Sequence, residues 1–95
     1  MTEAIIRFTE GMQFVASADS GHAIVMDAGQ ESGGSNSGPR PMELLLMGIG
    51  GCSGMDIISI LRKKKQQVCG LEARVKGTMA DGYPHRYTAI AIEYI

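Results

Sequence analysis

Cys52, Asp56, Ser59 and Lys63 recur at i, i+4, i+7 and i+11 in an otherwise apolar run. At about 100° per residue that spacing puts all four on one face of a helix. Among apolar neighbours a cysteine is either one more small packed hydrophobe or a redox nucleophile, and the polar residues beside it separate the two readings. A polar stripe on an apolar helix requires an aqueous pocket or buried hydrogen-bond partners. The candidate site is therefore Cys52 as nucleophile, with Asp56 one turn further along. Asp56 is a weak activator by itself, because a carboxylate disfavours a second negative charge nearby.

The same stretch admits other readings. Leu44 to Leu61 is 18 residues long with Asp56 as its only charge, and Gly50 and Gly54 form a small-xxx-small pair, which is the pattern of a membrane span. Against a span, Asp56 would cost about 2.5–3.5 kcal/mol on insertion scales, and half-buried strands flank both ends. Gly50-Gly51-Cys52-Ser53-Gly54 satisfies G-x-C-x-G, a nucleophile elbow with cysteine in place of serine. An elbow needs a strand before the nucleophile and a later acid and histidine, for which only His85 is at hand. A core helix whose small residues admit another helix is the plain alternative. Gly48-Ile49-Gly50 is a poor dinucleotide turn, since Ser53 stands where the third glycine belongs. His22, Cys52, Cys69 and His85 include no C-x-x-C or H-x-x-x-H pair, so no metal is expected.

The elements that must position Cys52 follow from hydropathy patterning. Up to Asp27 the chain alternates as three short strands, with turn chemistry at Thr9-Glu10-Gly11 and Asp19-Ser20-Gly21 and a third strand over His22 to Asp27. His22 and Asp27 could line a pocket, but a solvent-facing strand edge is the expectation for them. Residues 28–40 are rich in Gly and Ser and read as a flexible loop, longer than most connections inside a domain. Pro41 suits the first turn of a helix, and the helical pattern continues to about Gln67. Arg62 to Lys65 complement its negative end and form a solvated last turn. Past Gly70, Leu71, Ala73 and Val75 alternate with Glu72, Arg74 and Lys76 as a strand with one buried face. Asp81-Gly82-Tyr83-Pro84 makes a turn, and Arg86 to Ile95 a last strand. The fold class is thus α/β (α+β): an N-terminal antiparallel meander, a long central apolar helix and a further β-hairpin. An apolar strand ending at its own terminus leaves an edge that needs a partner, so the chain reads as the N-terminal portion of a longer domain.

Composition narrows the function. With 95 residues the chain is one small domain, 1–95, which buries little surface unaided and calls for a partner subunit. A net charge of −1 offers no positive field for nucleic acid or an anionic membrane. Tryptophan is absent, so no base-stacking platform is suggested. Two cysteines without a signal peptide fit the cytoplasm better than a disulfide scaffold.

Gly38-Pro39-Arg40-Pro41-Met42-Glu43-Leu44-Leu45-Leu46, followed by Gly50-Gly51-Cys52-Ser53-Gly54-Met55-Asp56, resembles the signature of the OsmC/Ohr family. The resemblance extends to Ser20-Gly21-His22 and Met26-Asp27 and is nearest the OsmC-like, YhfA-type branch. It implies an intertwined homodimer whose sheets surround two long central helices. It also implies thiol-dependent reduction of organic hydroperoxides by Cys52, with no cofactor and with a dithiol, typically lipoyl-linked, as reductant. In the peroxidase branch a glutamate directly follows the proline, whereas here Met42 follows Pro41 and Glu43 comes next. Met42 lies about 80° round the helix from Cys52 and Glu43 about 180°. For the family's activating arginine, Arg40 is the nearest stand-in; Arg7 matches no motif. The family's second cysteine lies on a later helix. Cys69, roughly 25 Å along the helix from Cys52, is too far for a disulfide, which needs Cα atoms within about 7 Å, and reads as structural. A non-catalytic, ligand-binding or interaction protein on the same fold is the alternative.

Overall fold

The computed structural model describes residues 2–66, 70–79 and 87–94, and the chain divides into two compact units, Met1–Glu43 and Leu44–Ile95. Cys69, His85, the turn at 81–84 and the two ends of the expected last strand lie outside the described residues or at their margin.

In the first unit, β1 (Ala4–Glu10), β2 (Gln13–Ala18) and β3 (Ala23–Met26) form an antiparallel meander in the order β1-β2-β3. Glycine sets both turns. Gly11 has φ 56° and Gly21 φ 86°, left-handed conformations that cost other residues energy. Register is fixed by Phe8 opposite Phe14, whose rings meet edge-on with centroids 5.4 Å apart, and by Val15 opposite Val25. The third strand stops at Met26, one residue short of the expected Asp27, because Asp27 turns inward.

The second unit holds most of α1 (Pro41–Lys63) and an antiparallel pair, β4 (Ala73–Met79) and β5 (Tyr87–Tyr94). Along β4 the expected alternation holds from Ala73 on, with Ala73 and Val75 half-buried and Arg74 and Lys76 exposed, whereas Leu71 lies before the strand and is exposed. α1 ends at Lys63 rather than Gln67. Gln66 N–H donates to Leu61 O at 2.9 Å and Lys65 N–H to Arg62 O at 3.0 Å, the paired bonds of a Schellman cap, with Lys65 left-handed at φ 59°. Glycine normally fills that position, so the stop was not marked in the sequence. Lys65→Gly is expected to stabilise the fold by about 1 kcal/mol, read as a higher midpoint in thermal unfolding.

No apolar side chain among the described residues is fully buried, and Asp27 is the one buried polar side chain. Ile5, Ile6 and Phe8 on β1 and Met47 and Met55 on α1 are all exposed. α1 is long and apolar enough to cross a membrane by length and composition.

Candidate functional site

Glycines decide what surrounds Cys52. A Cβ on Gly50 would lie 2.9 Å from Val75 Cγ2, and one on Gly77 would lie 2.5 Å from the Tyr87 ring and 3.1 Å from Leu46 Cδ2. These two residues let the helix and the hairpin approach as closely as they do. Gly48 and Gly51, in contrast, have no atom within 4 Å of where a Cβ would stand. They lie one turn before and immediately before Cys52, and so leave those two sides of the thiol open.

The burial pattern of α1 agrees with that division. Leu46, Ile49, Gly50, Ser53, Ile57 and Leu61 are half-buried, while Gly48, Gly51, Cys52, Met55, Asp56, Ser59 and Lys63 are exposed. The expected polar stripe therefore exists and faces outward. Cys52 is a free, exposed thiol, and among the described residues its sulfur has no hydrogen-bond partner. Ser53, its neighbour, bonds back to Ile49 O at 3.0 Å and takes no part in the stripe. On the flank of the stripe an open groove of about 860 Å³ runs past Gly51, Met55, Ile58 and Leu71 to Arg62 and Lys63. A smaller one of about 310 Å³ lies by Leu46, Met47, Gly51 and Val75. Cys52 lines neither groove, but Gly51 borders both.

Arg40 and Glu43 are brought together at the start of α1. Glu43 Oε1 accepts the Arg40 backbone N–H at 2.8 Å, the return half of a capping box, with Pro41 at the first helical position. The Arg40 guanidinium turns to the preceding loop, where Nη1 donates to Asn36 Oδ1 at 2.6 Å and to Gly38 O at 3.2 Å.

Asp27 departs from its expectation. It is 2% exposed instead of solvent-facing. Its Oδ2 accepts the Ser37 hydroxyl at 2.6 Å and the N–H groups of Ser35 at 3.1 Å and Ser37 at 3.2 Å; Oδ1 accepts the Ala28 N–H at 2.7 Å. The Ser37 hydroxyl is the chief cause of a carboxyl pKa lowered to about 2, burial opposes it, and the Ala28, Ser37 and Ser35 amides add to the lowering. Residues 28–40 accordingly carry more local structure than their Gly and Ser content suggests, including a 3₁₀ turn at Gln30–Ser32. The one signal available was an acid followed closely by Ser-Asn-Ser, donors that can fold back onto it. His22 is exposed as expected, its Nδ1 3.4 Å from Ser20 Oγ. Among the described residues no three His, Cys, Asp or Glu side chains gather as a metal site would need.

A meander, a long helix with an exposed thiol at its middle and a second antiparallel pair define a mixed α+β protein. The chain belongs to the OsmC-like family: the family model described as "OsmC-like protein" matches residues 34–95. Protein YhfA of Escherichia coli strain K12 is 34% identical over 93 residues, covering 98% of this chain and 66% of its own length. Protein YhfA of Shigella flexneri matches to the same extent. This chain thus spans just under two thirds of those relatives. A crystal structure of a hypothetical protein from Aquifex aeolicus VF5 superposes with a TM-score of 0.79 at 33% identity, over 99% of this chain and 64% of that one. A candidate osmotic stress induced and detoxification response protein from Psychrobacter arcticus 273-4 shares the fold, with a TM-score of 0.83 at 23% identity over 99% of this chain and 69% of that one.

Proposed function

We propose that this protein is a cytoplasmic, thiol-dependent reductase of organic hydroperoxides in which Cys52 is the nucleophile. The observation that carries the reading is the bare, exposed helix face on which Cys52 stands within its family motif. In the reaction the Cys52 thiolate attacks the distal peroxide oxygen. The S–O bond forms as the O–O bond breaks, and the departing alkoxide takes up a proton to become the alcohol. The resulting sulfenic acid is attacked by one thiol of a dithiol reductant, which releases water and leaves a mixed disulfide. The second thiol of the reductant then displaces Cys52 as a free thiol, so two electrons pass from dithiol to peroxide. Arg40 and Glu43, joined at the start of α1 about 18 Å along the helix from Cys52, do not act on the thiol of their own chain, and Asp56 orients solvent at the stripe.

The working unit we propose is a homodimer. Its support is the absence of any fully buried apolar side chain among the described residues, since a fold this small needs apolar surface covered to be stable. A second reading, a non-catalytic protein of the same fold that binds a ligand or partner, is favoured by one observation. The charged residue a turn from Cys52 is an acid, Asp56, and no cation of the described residues pairs with the thiol. One preparation tests both. Stopped-flow consumption of an organic hydroperoxide with dithiol present is expected to fall on the order of 10³-fold or more in Cys52→Ser, and light scattering is expected to give twice the chain mass. Equal rates in wild type and Ser variant establish the non-catalytic reading; a single-chain mass removes the dimer.

A further inference from the structure

We propose that Asp27 and Asn36 are positioning residues that aim the Arg40 guanidinium. The aiming device is the loop between β3 and α1, closed at several points. Asp27 N–H donates to Pro39 O at 3.1 Å, fixing the residue before Arg40 against the end of β3. The Asp27 carboxylate then holds the backbone N–H groups of Ser35 and Ser37, one on each side of Asn36. Asn36 N–H itself donates to Ala28 O at 3.1 Å. Held before, behind and at its own amide, Asn36 adopts φ 54°, a left-handed conformation that Asn tolerates better than most residues. That conformation presents Oδ1 to Arg40.

Arg40 Nη1 donates to Asn36 Oδ1 and to Gly38 O, so a single nitrogen commits both of its hydrogens to the loop and the guanidinium plane is set. Both acceptors are neutral. Glu43, the nearest acid in sequence, binds the Arg40 backbone N–H instead of the side chain, and among the described residues no carboxylate pairs with the guanidinium. Ordering an arginine costs rotamer entropy, and here the ordered side chain keeps its positive charge unneutralised by any carboxylate among the described residues. Nε and Nη2 have no partner among the described residues. They form the donor edge that a planar or paired-oxygen anion accepts side-on.

The proposal goes beyond the thiol-dependent reading, since it concerns an anion held at Arg40, and its readout does not depend on peroxide turnover. The experiment uses the ¹⁵N-labelled full chain and follows the Arg40 guanidinium resonances, assigned with Arg40→Lys, while Glu-C cleavage after Glu31 reports the loop. Wild type is expected to show slowed guanidinium rotation and a protected loop. Asn36→Gly, which keeps the left-handed backbone and removes Oδ1, is expected to average the guanidinium signals with the loop still protected; Asn36→Asp restores the acceptor and the slowed rotation. Asp27→Asn is expected to lose both, with cleavage faster by about tenfold or more. Unchanged guanidinium signals in Asn36→Gly, or ordered ones in an Asp27→Asn chain whose loop has opened, overturn the proposal. A chain that orders Arg40 as expected yet consumes no hydroperoxide sinks the catalytic reading and leaves the positioning role standing.

Discussion

Acidifying the protein is expected to open the loop of residues 28–39 between about pH 4 and pH 2, ahead of the strands it follows. The sign follows from the carboxyl of Asp27, whose pKa falls from 3.8 to about 2 on folding because the Ser37 hydroxyl and the Ala28, Ser37 and Ser35 amides bond its charged form more strongly than burial penalises it. A depressed carboxyl contributes stability in full above its unfolded value, and that contribution is lost as pH falls through the folded one. Other carboxylates titrate in the same range, so the comparison is with Asp27→Asn. In that variant the amide NH₂ confronts an N–H or O–H donor whichever way it is turned, so it is destabilised at neutral pH and lacks this component of acid sensitivity. Hydrogen exchange at the Ser35 and Ser37 amides, followed against pH in both proteins, measures it. Parallel profiles would show that Asp27 is not the group responsible.

Gly38→Ala is expected to be strongly destabilising for a single-methyl change in the first unit. A Cβ at Gly38 would overlap the Val25 carbonyl oxygen and stand 2.9 Å from its carbon. The obstacle is backbone at the edge of β3, which cannot swing aside as the end of a side chain can. Overpacking of this kind costs about 1–3 kcal/mol and occasionally more. Gly48→Ala is the control, since open space surrounds that position. Thermal unfolding is expected to show a lowered midpoint for Gly38→Ala and an unchanged or raised one for Gly48→Ala, because alanine favours the helix. Equal midpoints would mean that β3 and the loop are not packed as closely as described.

The meander was legible because its turns carry residues with a conformational reason to be there, Gly11 and Gly21. Pro41 marked the start of α1, since a proline suits the first helical turn. Its end escaped notice because Lys65 does in the cap what glycine usually does, and a lysine in a basic run gives no hint of φ > 0. Asp27 was misplaced for a different reason. Alternation along a strand assigns a residue to a face, but whether an acid at the strand end meets water or the loop depends on donors 8 and 10 residues later. Such closure is a tertiary event that local propensity does not record. Within the site, the family motif marked Cys52 and the helical period marked its stripe. Which glycines pack and which stand open was beyond the sequence, since Gly48, Gly50 and Gly51 are alike until a hairpin is placed on one side.

That unequal use of glycine bears on selectivity. Gly48 and Gly51 leave two sides of the thiol open, while Met55 and Asp56 are the side chains of α1 that an arriving molecule meets on the next turn. On the two glycine sides, discrimination by size has to be supplied by whatever surface lies opposite them.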